Sequence, residues 1–99
     1  MNFSFVWDKE KADSNKQKHK ITFKEASSVF LSGTDILTIY DGAHSEDEDR
    51  WLSIGFSASG NLLIVVHTYK VLGKSPIEIR IISSRKATKK EIEQYNEQV

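Results

Sequence analysis

Hydrophobic and polar positions alternate at the start of the chain: Phe3, Phe5 and Trp7 are separated by Ser4 and Val6, a period of two that predicts a short strand. Asp8 then caps a highly charged segment from Lys9 to about Lys20, in which Asp8, Ala12, Asn15 and His19 fall on one face at helical spacing. That face is polar, which is unusual for a helix that has to pack. Thr22 with Glu25 three residues on reads as a capping box, and Phe23, Ala26 and Phe30 recur at i, i+3 and i+7, so a second, short helix begins there. Ser32-Gly33-Thr34-Asp35 stops it.

From there the period returns to two. Ile36 to Tyr40 is β-branched and apolar enough for a strand, whereas the acidic stretch Asp41 to Asp49 reads as a solvated loop. Leu52, Ile54 and Phe56 alternate in the next strand, Ala58-Ser59-Gly60-Asn61 supplies a turn, and Leu62 to Tyr69 returns as a hairpin. Val71 to Pro76 makes a looser turn, with proline at a strand entrance where its missing N–H does least harm, and Ile77 to Ser84 is the last strand. Thr88 and Glu91 form another capping box, after which Ile92, Tyr95 and Val99 mark the apolar face of a terminal helix. The order β-α-α-β-β-β-β-α predicts an α+β domain: a small, mostly antiparallel sheet with N-terminal helices and one C-terminal helix.

Composition narrows the class. Ninety-nine residues, 38 % hydrophobic and 28 % charged, describe one ordinary globular domain spanning 1–99. Without cysteine there is no disulfide, thiolate chemistry or Cys-based zinc site. No apolar run approaches a membrane span and the first residues lack a signal-peptide pattern, so the chain reads as cytoplasmic, with no membrane contact. Fourteen bases balance fourteen acids, which argues against a general nucleic-acid binder, but the distribution is uneven. Residues 35–50 hold six acids and one arginine, whereas residues 70–90 hold seven Lys or Arg and one acid, Glu78.

Several residues are candidates for chemistry. Arg80 stands between isoleucines in a strand, where a guanidinium needs a carboxylate or a phosphate within reach. An ion pair with Glu48 or Glu78 that tethers the sheet satisfies it, and so does a scissile phosphate whose developing charge it stabilises. Arg85 follows five residues later, so strict alternation puts it on the opposite face. The two share a site only if the strand bulges or ends near Ser83-Ser84; otherwise Arg85 serves the last helix or a partner surface. His67 suits a general acid or base, although a lone strand histidine also reads as a satisfied structural residue. His19 has an ordinary explanation in the helix dipole, while Lys16, Lys18 and Lys20 around it make a cationic patch. Nothing fixes ligand geometry around His44 and the acidic loop, so no metal is expected there. Nucleotide hydrolysis and proteolysis have no support, because a glycine-rich phosphate loop, a nucleophile elbow and HExxH are all missing.

The ordered features resemble the BrnT family: Phe5-Val6-Trp7-Asp8, Lys11-Ala12, Asn15, Lys18-His19, Ile21-Thr22-Phe23, Glu25-Ala26 and Val29-Phe30. They continue with His44-Ser45, Glu48, Arg50, Gly55-Phe56-Ser57, Val65-Val66-His67-Thr68, Arg80-Ile81-Ile82-Ser83, Arg85-Lys86-Ala87-Thr88 and Glu91. The resemblance implies a RelE-like fold and messenger-RNA cleavage that arrests translation. It also implies neutralisation by a BrnA-type antitoxin encoded beside the toxin, with DNA binding brought only by that antitoxin. The chain departs from the family pattern at Lys70, Ser84 and Ile92, where Arg, Ala and often Arg are usual. Lys70 lacks the planar bidentate phosphate contact of arginine.

The mechanism expected is metal-independent and cofactor-free RNA cleavage by attack of the ribose 2′-hydroxyl. Glu48 or His67 takes the hydroxyl proton, Arg50, Arg80 and Arg85 stabilise the phosphorane charge, and His19 or His67 protonates the leaving oxygen. Lys18, Lys20, Lys70 and Lys86 are expected to hold the RNA. The rival reading is a non-catalytic interaction protein whose basic helix and strand end bind an acidic segment of an antitoxin.

Overall fold

The computed structural model describes residues 2–99 as five strands and three α-helices: β1 (Phe3–Val6), α1 (Lys9–His19), α2 (Phe23–Ser28), β2 (Leu37–Tyr40), β3 (Trp51–Phe56), β4 (Leu62–Val71), β5 (Ile77–Lys86) and α3 (Lys89–Gln98). Two short 3₁₀ turns, Val29–Leu31 and Gly42–His44, interrupt the expected order. β1 ends before Trp7, while β4 and β5 each run two residues past their expected ends.

The sheet is mixed, which corrects the expectation of a mostly antiparallel one. Its spatial order is β1-β5-β4-β3-β2, and β1 runs parallel to β5, with Phe3 opposite Ile77 and Val6 opposite Arg80. Short turns join β3 to β4 and β4 to β5, and such connections give antiparallel pairs. The chain leaves β1 through α1 and α2, enters the sheet again at its far edge, and winds back strand by strand until β5 lies beside β1. Hairpin signals report only on strands linked by short turns, so this last pairing has no local signature.

Alternation along the strands sorts the core into two clusters. On the first face Leu63, Val65, Ile79 and Ile81 pack against Ile21, Phe23, Ala26 and Val29 from the α1–α2 region. On the second face Tyr95 of α3 covers Ile54, Leu62 and Ile64 at one end of the strands, and its hydroxyl donates to the Asp35 carbonyl at 2.6 Å. Each fully buried aliphatic side chain contributes roughly 1.5–3 kcal/mol relative to exposure.

The polar face of α1 has a structural use. β1 covers β5 only as far as Arg80, leaving the backbone of Ser84 without a strand neighbour on that side. Asn15, buried in α1, takes the place of one: its Oδ1 accepts from the Ser84 N–H at 3.0 Å and its Nδ2 donates to the Ser84 carbonyl at 2.9 Å. A buried peptide group left unpaired would cost about 1–3 kcal/mol, which explains an asparagine inside a helix. Of the two capping boxes, the one at Thr88 and Glu91 is complete. At Thr22 only the hydroxyl half forms, because Glu25 turns away to accept from Ser57 and Asn61, fastening the β3–β4 turn to α2.

Candidate active site

The second face of the sheet beyond α3 is polar. Arg80 rises from the middle of β5, opposite Thr68 of β4, and Arg50 immediately precedes β3. Both point at one carboxylate: the Arg80 guanidinium is paired with Glu48 Oε1, and Arg50 Nη2 lies 3.9 Å from that same oxygen. The three side chains are 36 %, 33 % and 41 % exposed for Arg80, Arg50 and Glu48, so the cluster is open to a ligand. Arg50 Nε is itself buried and has no hydrogen-bond partner among the described residues. Lys70 follows two residues after Thr68 on the same side of β4.

The acidic loop is more ordered than its composition suggests. Ser45 donates through Oγ to the Asp41 carbonyl at 2.5 Å and accepts from the Arg50 N–H at 3.0 Å. The Asp41 N–H donates to the Arg50 carbonyl at 2.9 Å. These bonds close the loop on itself and set Glu48 and Arg50 side by side. His44 pairs with Asp41 at 3.0 Å on the exterior.

Arg85 shares a face with Arg80 after all. The register passes from His67 opposite Ile81 to Val66 opposite Ser83, so Ile82 is an extra residue in β5. A bulge of this kind reverses the alternation beyond it. The arginines still do not meet: their partners on β4, Thr68 and Ile64, are four residues apart, roughly 14 Å along the strand. Arg85 instead makes a two-pronged contact with Glu91 in the first turn of α3, at 2.7 and 2.9 Å. The adjacent guanidinium holds the Glu91 carboxyl down to about 2, and Glu91 in turn raises Arg85. Of the places the sequence left open for Arg85, the structure gives it the one at the last helix, as an anchor for α3, and not the one in the phosphate cluster.

His67 is also removed from the cluster. It lies on the first face, opposite the arginines, and is only 2 % exposed. Nε2 is 2.7 Å from Ser53 Oγ, Nδ1 is 3.2 Å from the Thr68 carbonyl, and the ring meets Phe30 edge-on. Burial pushes its pKa down, partly offset by the bond to the Thr68 carbonyl. A neutral ring with Nδ1–H donating and Nε2 accepting from Ser53 satisfies both nitrogens, which is a structural role.

The remaining cations are spread over the surface. His19 and Lys18 line a depression between α1 and β5 with Asp8, Glu10, Lys11, Ile82 and Ser83. Lys20 closes α1 in the left-handed conformation beside Lys16 and Asp13, and Lys86 stands opposite Leu63 at the far end of β5. The structure therefore brings together Glu48, Arg50 and Arg80, with Lys70 on the same face. Ser45 and Asn15, which support this site and its strand, had no assigned role from the sequence, although both stand within the motifs quoted for the family.

A family model described as "Ribonuclease toxin, BrnT, of type II toxin-antitoxin system" matches residues 7–91. Among solved structures, the 1.1 Å crystal structure of the Brucella abortus ribonuclease toxin BrnT is similar, with a TM-score of 0.57 at 23 % identity, covering 90 % of this chain and 100 % of that one. That likeness speaks for the fold. No curated protein matches the chain. With the family model spanning the segment that holds α1 through β5 and every member of the arginine cluster, the chain belongs to the BrnT family of ribonuclease toxins of type II toxin–antitoxin systems.

Proposed function

We propose that this chain is an endoribonuclease toxin that cleaves RNA at the Glu48–Arg50–Arg80 cluster, arrests translation in the RelE-like manner, and is neutralised in the cytoplasm by a BrnA-type antitoxin. The observation that carries this reading is the convergence of two guanidiniums on one carboxylate on an open sheet face. Without RNA, Glu48 occupies the arginines. A phosphate entering between them takes over both guanidiniums and finds the unpartnered Nε–H of Arg50 as a further donor.

The displaced Glu48 carboxylate then accepts the proton of the ribose 2′-hydroxyl. The 2′-oxygen attacks the adjacent phosphorus, Arg50 and Arg80 stabilise the negative charge of the phosphorane, and the 5′-oxygen leaves with a proton. The products are a 2′,3′-cyclic phosphate and a 5′-hydroxyl. His19 is the acid assigned to the leaving oxygen, and Lys70 and Lys18 hold flanking phosphates. Because the nucleophile belongs to the substrate, the scheme calls for no metal and no cofactor.

RNA cleavage in the presence of EDTA tests both parts. Wild type retains its rate, and Arg80→Ala, checked for folding by its melting curve, loses about 10²–10³-fold, as expected for removal of one preorganised donor. Activity lost to chelation overturns the metal-free scheme, and an unchanged rate in Arg80→Ala makes that ion pair purely structural. Induced expression of the chain alone arrests growth if it is a toxin and has no effect if it only binds a partner.

A further inference from the structure

On the first face of the sheet, α1 and α2 cover only the part that carries Leu63, Val65 and Ile81. Toward the other end of the strands this face is open, and an apolar groove of about 320 Å³ runs over Phe3, Phe30, Trp51, Tyr69 and Ile77. The buried pair of His67 and Ser53 forms part of its lining. An aromatic ladder crosses three adjacent strands here. Tyr40 of β2 meets Trp51 of β3 edge-on with ring centroids 5.0 Å apart, and Trp51 lies 5.4 Å from Tyr69 of β4. Tyr40 and Tyr69 are each 47 % exposed, and Val71, next along the same side of β4, is 61 % exposed. Rigid aromatic side chains left contiguous and in water mark a surface that is covered in use.

The rim beside this ladder carries one sign of charge. The loop from Asp41 to Asp49 joins β2 to β3 at the end of the ladder and holds five acids and no Lys or Arg. The Tyr40 hydroxyl donates to Asp49 at 2.9 Å, which fastens the loop to the ladder itself. Asp41 is turned to His44 and Glu48 to the arginines, and Glu46 and Asp47 line the depression that holds Glu48 and Arg50, which leaves Asp49, with no cationic partner among the described residues, as the acid on the ladder side. A carboxylate there attracts Lys and Arg. The cationic strip that suits RNA is on the opposite face of the sheet.

We propose that this groove and its acidic end are the docking surface for the antitoxin, which seats a segment with apolar side chains along one side and Lys or Arg at the end lying over Asp49. The docking surface rests on membership of a toxin–antitoxin family, which pairs the toxin with a protein partner, and only its effect on activity rests on Glu48, Arg50 and Arg80 as the cleavage site. The loop covered in this way carries Glu48. A seated partner therefore holds in place the carboxylate that occupies Arg50 and Arg80, and neutralises the cluster from behind.

Calorimetric titration of the full chain with its co-expressed BrnA-type antitoxin tests this. Tyr69→Ala weakens binding about tenfold or more, as expected for truncating a central aromatic anchor. Asp49→Asn weakens it about threefold at low salt, and the difference vanishes near about 0.5 M, where exposed charges are screened. Both variants cleave RNA at the wild-type rate. Should Tyr69→Ala fail to fold, hydrogen exchange on the wild-type complex replaces it, with protection gained at amides 38–41, 46–49 and 68–71. Wild-type affinity in both variants overturns the proposal, as does protection confined to the second face. It also falls if Tyr69→Ala loses binding to a fluorescent oligouridine, or dissociates a dimer of this chain, while its affinity for the antitoxin is unchanged. An antitoxin that does not bind the wild-type chain overturns it too, without bearing on RNA cleavage.

Discussion

Glu48 serves two guanidiniums with one oxygen, and that geometry separates binding from chemistry. Glu48→Gln keeps a hydrogen-bond acceptor beside Arg80 but loses the base and the charge that competes with phosphate. We expect kcat to fall about 10²–10⁴-fold while RNA binding stays equal or tightens, measured by single-turnover cleavage and by fluorescence anisotropy. A fall in affinity with kcat intact makes Glu48 a binding group instead. His67 supplies a different test at this scale. Burial lowers its folded-state pKa below the ordinary 6.5, so the folded chain holds it neutral while the unfolded chain takes up a proton near 6.5. Its stabilising contribution is complete above 6.5 and is lost as the pH falls from there toward the lowered value. Glu91, held at about 2 against 4.5, loses its contribution only as the pH falls below 4.5, so the loss due to His67 begins at the higher pH. Thermal melts should show a drop in midpoint as the pH falls below about 6.5 in wild type that His67→Gln does not show. An identical pH profile in the variant contradicts this assignment.

Among the elements, β5 is the one on which the site depends. One extra residue, Ile82, turns Arg85 to the face of Arg80, and the shorter β1 leaves an edge that Asn15 completes. The repeated isoleucines of this segment announce a strand, but no residue type in Ile81-Ile82-Ser83 demands a bulge. The bulge is visible only once β4 is laid beside it. The contact between β3 and the turn after α2 is equally specific. A Cβ added to Gly55 would stand 2.9 Å from Val29 Cγ1 and 3.4 Å from Ile36 Cγ1. Val29 is buried and stiff at χ1, so it cannot swing away. Gly55→Ala should therefore destabilise the fold by about 1–3 kcal/mol, read from its urea midpoint, with the spectroscopic signature of the native state retained. A neutral effect would mean that the turn after α2 is free to shift.

For the molecule as a whole, zero net charge conceals two surfaces of opposite character. The second face presents Arg50, Arg80 and Lys70, and the Asp41–Asp49 loop at its edge presents acids, of which Glu46 and Asp47 lie beside Arg50 and Asp49 is tied to Tyr40 on the first face. RNA binding on the second face should involve few phosphates. With four cations engaged on a single strand, Arg50, Arg80, Lys70 and Lys18, log affinity should fall against log salt with a slope of roughly −3, measured by anisotropy with a short oligonucleotide. A slope steeper than about −4 brings the other lysines of α1 into the interface. Lys70→Ala should reduce the slope by roughly one contact, whereas Tyr69→Ala on the other face leaves it unchanged.

The sequence by itself determined the element order, the turns, the complete capping box at Thr88 and Glu91, and the family, because each is written in residues close together or in an ordered series of motifs. It also named Glu48, Arg50 and Arg80 as candidates and offered Glu48 or Glu78 as the partner of Arg80, of which the structure selects Glu48. Tertiary structure decided the parallel pairing of β1 with β5, the bulge at Ile82, the assignment of Arg85 to α3 and the placement of His67 on the face away from the arginines. These depend on which strands become neighbours and in what register. Register is a property of two segments distant in the chain, and a shift of one residue moves every side chain beyond it to the other face. Local pattern can state that a strand forms; only its neighbour fixes which way its side chains point.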